Sequence, residues 1–83
     1  MIRFLLKELI SEREFQIGRR VTFDEIAEAT GIHRTTLSKI ANVRGYNTTT
    51  DNLDSLCGFF GCRLEELAVH VTKVGGGRKK KST

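Results

Sequence analysis

The stretch Thr22-Phe23-Asp24-Glu25-Ile26-Ala27-Glu28-Ala29-Thr30-Gly31-Ile32-His33-Arg34-Thr35-Thr36-Leu37-Ser38-Lys39-Ile40 contains the signals of two short helices and the turn between them. Thr22 with Glu25 three residues on forms a capping box, in which each side chain bonds the other's backbone N–H. Val21 and Ile26 flank it as a hydrophobic staple. This predicts a helix over 23–30 that stops at Gly31, a residue able to take the left-handed conformation that ends helices. A second helix is expected over 34–42, with Leu37, Ile40 and Ala41 on one stripe. Ala27 is small where the two helices would cross, and Leu37 and Ile40 close a core shared with Ile26. Two short helices crossing steeply over a turn of about three residues are the result.

Helical spacing extends outward on both sides. Ile2, Leu5, Leu6, Leu9 and Ile10 predict an amphipathic helix over 2–14, followed by a connector over 15–21 that holds Gly18, Arg19 and Arg20. A polar loop over 43–49 leads into the run Thr48-Thr49-Thr50, any of which can cap a fourth helix, with Asp51 suited to its first turn. Leu53, Leu56, Cys57 and Phe60 form its stripe and Gly61 stops it; Leu64, Leu67, Ala68 and Val71 repeat the spacing in a fifth helix. The chain has no Pro to break these helices, and no stretch reads as a strand. The expected fold class is all-α, a five-helix bundle over 1–74, with Gly75-Gly76-Gly77 releasing a flexible basic tail over 75–83.

Eighty-three residues make one small core, too small for a large buried active site. The charge is unevenly spread. Arg78, Lys79, Lys80 and Lys81 account for the whole net charge of +4, because residues 1–74 hold ten bases and ten acids. Within that neutral body, Arg34, Lys39 and Arg44 lie in a segment, 33–50, without a carboxylate. A basic segment and a basic tail on a neutral domain suggest a polyanion met at one face. Cys57 and Cys62 fit no paired-thiol spacing, and His33 and His70 complete no ligand pattern, so the cysteines read as core thiols and no metal or cofactor is expected. Charge interrupts the first eight residues too early for a signal peptide, and no segment is long and apolar enough for a bilayer, which points to a cytoplasmic protein without a membrane partner. No nucleophile–base pair, carboxylate pair or phosphate loop stands at useful spacing, so an enzyme is not expected.

The stretch 22–40, together with Leu53-Asp54-Ser55-Leu56-Cys57 and Gly61-Cys62-Arg63-Leu64-Glu65-Glu66-Leu67, resembles the phage repressor/Cro-type (Xre-like) helix-turn-helix family over about residues 2–71. The resemblance implies the lambda-repressor-like five-helix fold and a second unit helix that reads double-stranded DNA. At 100° per residue, Thr35, Ser38, Lys39 and Asn42 point away from the buried stripe, with Arg34 and Thr36 on the flanks of the first turn. That face is polar, free of acids and rich in donors. The base-edge candidates are Arg34, Thr35, Thr36, Ser38 and Lys39. Arg34 leads them, because its planar fork alone gives two-bond readout of guanine. His33 and Arg34 also sit where the helix dipole disfavours cations and where His is a poor cap, and broken local rules gather at working sites.

Phosphate contacts are expected from Arg19, Arg20 and Thr22 before and at the first unit helix, and from Asn42, Arg44, Tyr46, Asn47 and Thr48 after the second. Arg19 and Arg20 read equally well as a solvated loop pair. The chain departs from the family pattern at Phe23, where Gln is common, at Ala41, where an acid is usual, and at Val43-Arg44, which separates Asn42 from Gly45. Phe23 is read as a core residue. Phe59, Val69 and Val74 are candidates for a late apolar patch through which a homodimer would form, as two half-sites require. The tail reads as nonspecific DNA affinity or as a solubilising end. The leading function is a DNA-binding transcriptional regulator, a repressor in the first instance. The alternative is an antitoxin or interaction module on the same fold that neutralises a toxin-like protein partner.

Overall fold

A computed structural model describes residues 1–72. The elements in order are β1 (Ile2–Phe4), α1 (Leu6–Ile17), α2 (Phe23–Thr30), α3 (Arg34–Asn42), α4 (Thr50–Phe60), α5 (Leu64–Leu67) and β2 (Ala68–His70). One core gathers Leu6, Val21, Ile26, Ile32, Leu37, Ile40, Leu56 and Leu67, so every helix contributes to it. Leu6, Ile26, Leu37, Leu56 and Leu67 are fully buried. Within this packing α2 lies against both α3 and α4, α1 against α3, and α4 against α5.

The two unit helices form over the expected residues. Thr22 has extended backbone, and its hydroxyl accepts the Glu25 N–H at 3.2 Å. Only this half of the expected capping box forms, because the Glu25 carboxylate turns to Arg19. Gly31 ends α2 at φ +80°, and its N–H returns to the Ala27 carbonyl. Val21 and Ile26 of the staple are both buried. Phe23 is half-buried and packs on the core. Thr49 is the cap of α4, accepting the Asn52 N–H at 3.1 Å, while Thr48 accepts from the Asn52 side chain at 3.0 Å.

The ends of the domain differ from the all-α expectation. Residues 2–4 are a strand rather than the first turn of a helix, and the predicted fifth helix is a single turn that gives way to β2. The strands pair antiparallel with Ile2 opposite His70, Arg3 opposite Val69 and Phe4 opposite Ala68. Leu5 N–H donates to the Leu67 carbonyl at 2.6 Å, and Val71 N–H to the Met1 carbonyl at 2.8 Å. Helical turns at these ends would leave terminal N–H and C=O groups unpaired, and the ladder satisfies them instead. The apolar spacing at 64–71 was ambiguous: Leu67 is buried, but Leu64 is 54% exposed and Val69 alternates with Val71 along an extended chain. Helix α1 starts later and runs further than expected, to Ile17, leaving Ile2 45% and Phe15 85% exposed.

Two side chains of α1 tie distant segments together. Glu14 accepts the Val21 N–H at 2.8 Å, fixing the approach to α2. Arg13 donates to the Phe59 carbonyl at 2.8 Å and lies over the rings of Phe59 and Phe60, which meet edge to face. Phe59 is therefore half-buried beneath Arg13 rather than displayed in the expected apolar patch; Val69 is half-buried as well, and Val74 and the tail over 75–83 lie outside the described residues. At the end of α4, Gly61 is left-handed and Cys62 N–H reaches the Cys57 carbonyl at 3.1 Å. This bonding pattern brings the side chains of Cys57 and Cys62 onto the core as a contact pair. Both thiols are free and half-buried, and burial, followed by the Cys57 sulfur, pushes the Cys62 thiol up to about 11. Among the described residues no helix is long and apolar enough to cross a membrane, and no group of three His, Cys, Asp or Glu could hold a metal ion.

Two substitutions measure these assignments by chemical denaturation. Leu56→Ala removes a fully buried side chain and is expected to cost about 2–5 kcal/mol. A loss below about 1 kcal/mol would show that α4 does not anchor the core. Gly31→Ala places a methyl in open space but at positive φ, so about 1–2 kcal/mol should be lost through backbone strain alone. An unchanged midpoint would mean that the turn is not left-handed.

Candidate nucleic-acid interface

The outward face of α3 follows from burial of its other side. Leu37 and Ile40 are fixed in the core, so Arg34, Thr35, Lys39 and Asn42 are exposed, with Thr36 and Ser38 half-exposed beside them. The nine residues of α3 carry no acid. Its first turn is built differently from the expectation. His33 is the N-cap: its backbone is extended and Nδ1 accepts the Thr35 N–H at 3.1 Å. The ring nitrogen thus fills the acceptor role that a Ser, Thr, Asp or Asn oxygen usually supplies at a helix start. His33 is thus a satisfied structural residue, and the anomaly at this turn reduces to Arg34.

Arg34 does not stand free. Its Nη1 meets the Asp24 carboxylate at 3.2 and 3.5 Å, bridging the first turns of α3 and α2. Arg19 is held from the same place. Its two terminal nitrogens donate to the two oxygens of Glu25 at 2.9 and 3.0 Å, and Nη1 also reaches the Arg20 carbonyl. The bonding to Arg19 holds the Glu25 carboxyl below its ordinary value and raises the Arg19 guanidinium in turn. The pair is therefore intact at neutral pH and is lost as pH falls through the lowered Glu25 value. Arg19, Thr22 and Arg34 converge on the start of α2, and Arg20 is exposed beside them without an ion pair among the described residues.

A second group lies past the other end of α3. Asn42 folds back, donating from Nδ2 to the Ser38 carbonyl at 3.0 Å. Arg44 and Asn47 are exposed, while Tyr46 is half-buried against the core and closes the turn with its N–H on the Val43 carbonyl at 3.2 Å. The Thr48 hydroxyl accepts from the Asn52 side chain and keeps its proton free to donate. The nine-residue α3 that separates Arg34 from this group is about 13 Å long, comparable to the width of a major groove.

Two features of this face were not visible along the sequence. Asp24 and Glu25 act as counter-ions to Arg34 and Arg19, a pairing that spans ten residues in one case and six in the other. Lys7, from α1, shares an open cleft of about 450 Å³ with Asn42, Val43 and Arg44, beside the Arg3–Glu8 ion pair. Only the tertiary packing of α1 on α3 brings residues so far apart together, and no local pattern signals it.

No curated protein and no solved structure matches the chain. The model of one family, the Cro/C1-type HTH DNA-binding domain, matches residues 6–73. That span takes in all five helices and the exposed, acid-free face of α3 between two groups of cations and polar side chains. The chain belongs to the Cro/C1-type helix-turn-helix DNA-binding family.

Proposed function

We propose that the protein is a sequence-specific transcriptional repressor that acts in the cytoplasm by occupying an operator as a homodimer. The observation that carries this reading is the outward face of α3, whose polar side chains include no carboxylate and stand between two groups of phosphate candidates. In this arrangement α3 enters the major groove with its N-terminal residues nearest the base edges. Arg34 donates to guanine O6 and N7. Thr35 and Thr36 bond base edges or set a methyl against thymine, and Ser38 and Lys39 read further along the helix. Arg19, Arg20 and Thr22 hold one phosphate strand, and Asn42, Arg44, Tyr46, Asn47 and Thr48 the other. The basic segment 78–81 adds affinity without sequence preference.

Selection of binding sites from random duplex DNA, repeated at two salt concentrations, tests the proposal. An enriched inverted repeat with half-sites about one helical turn apart supports a dimeric operator-binding protein. Salt-sensitive binding without enrichment would overturn it and direct attention to a toxin-like protein partner. Arg34→Ala should weaken binding to the selected site by about 1–3 kcal/mol and relax the preference at one base pair. An equal loss on random duplex would restrict Arg34 to phosphate contact. Removal of residues 75–83 should lower selected-site and random-duplex affinity by similar factors and flatten the salt dependence by about three to four counterions. A loss confined to the selected site would contradict that role.

A further inference from the structure

An acid in the first turn of a helix needs no partner, since the dipole already favours it there. Asp24 and Glu25 nevertheless each reach outside α2 to a cation of the DNA-facing surface. The two pairs are not equivalent. Glu25 occupies both terminal nitrogens of Arg19. Asp24 takes only Nη1 of Arg34, leaving Nη2 and Nε free to donate. The side chains of Arg34 and Asp24 are 65% and 72% exposed, so the pair adds little to folding stability. Its effect is on where the guanidinium points and on what the guanidinium can accept as a partner.

A carboxylate beside an arginine treats two kinds of acceptor differently. A phosphate brings a negative charge against Asp24 and is repelled by it, or must displace it. The O6/N7 edge of guanine carries no net charge and can take the free side of the fork while Asp24 keeps the other. The geometry points to Asp24 as a specificity-determining positioning residue, one that holds the Arg34 guanidinium at the first turn of α3 and biases it toward neutral base edges over phosphates. This rests on the reading of α3 as the base-reading helix.

The test measures affinities of the full chain for a selected operator duplex and for a random duplex over a salt series. The proteins are wild type, Asp24→Asn, Arg34→Ala, the double variant, and Glu25→Gln, with thermal melting to establish that each is folded. Asp24→Asn should raise random-duplex affinity by about two- to fivefold, the scale of one exposed ion pair. It should also steepen the salt dependence by up to about one counterion, as Arg34 becomes free for phosphate. The ratio of selected to random affinity should fall by about fivefold or more, the low end of what one two-bond base contact discriminates. In the Arg34→Ala background the same substitution should leave that ratio unchanged. Glu25→Gln should raise both affinities together and keep the ratio, since Arg19 serves phosphate. An unchanged ratio in Asp24→Asn, or an equal fall with and without Arg34, overturns the inference and leaves the base-reading role of Arg34 standing. An Arg34→Ala variant that keeps the full ratio overturns that role, and the inference with it.

Discussion

Burial of Ile26, Ile32, Leu37 and Ile40 in one small core is the constraint on which the polar surface depends. Two helices of eight and nine residues are too short to hold themselves in water, so their geometry comes from packing. Once Leu37 and Ile40 point inward, a rotation of 100° per residue leaves no freedom in where Arg34, Thr35, Ser38 and Lys39 point. The left-handed Gly31 sets the other variable, the direction in which the chain leaves α2. Nothing polar has to be buried to achieve this, and the core holds no buried polar or charged side chain among the described residues.

That economy lets the charged residues serve the surface. Every ion pair among the described residues is exposed, and pairs of that kind contribute little to stability. Arg13 is the exception among the arginines, half-buried over two aromatic rings with its nitrogen on a backbone carbonyl, and it works as a strut between α1 and α4. Glu14, the next residue, performs the matching task at the approach to α2. Adjacent residues on one helix thus brace the end of α4 and the approach to α2, while Arg19 and Arg34 remain on the outside.

The parts of the fold that were legible in the sequence are those governed by local rules. Thr22, Gly31 and Gly61 each act within four residues of their own position, and the boundaries of α2 and α3 came out as read. The first and last elements were misread because helical and extended patterns coincide over short apolar runs such as 2–6 and 67–71, and pairing across nearly the whole chain decides between them. At the candidate site, the exposed face of α3 was legible from periodicity alone. The Asp24–Arg34 and Glu25–Arg19 pairs were not, since opposite charges six or ten residues apart have no fixed relation until the turn between them is folded. His33 was misjudged for a related reason. Cap preferences rank side chains by frequency, whereas here an imidazole nitrogen accepts the backbone N–H that a hydroxyl or carboxylate oxygen usually takes.

The two-stranded ladder gives the molecule a seam. Closing it joins residues 2–4 to residues 68–70, a loop of most of the chain, in return for a few hydrogen bonds on a largely exposed surface. The helices can reach their contacts through shorter loops, so the ladder is expected to form last and to open first. Amide exchange would then divide the protein into two cooperative units, a slow helical body and a fast seam. The cleft that holds Lys7 and Arg44 is bordered by residues 1–4, so opening of the seam would reshape the surface at the C-terminal end of α3, whereas the first turn of α3 is braced from α2 instead.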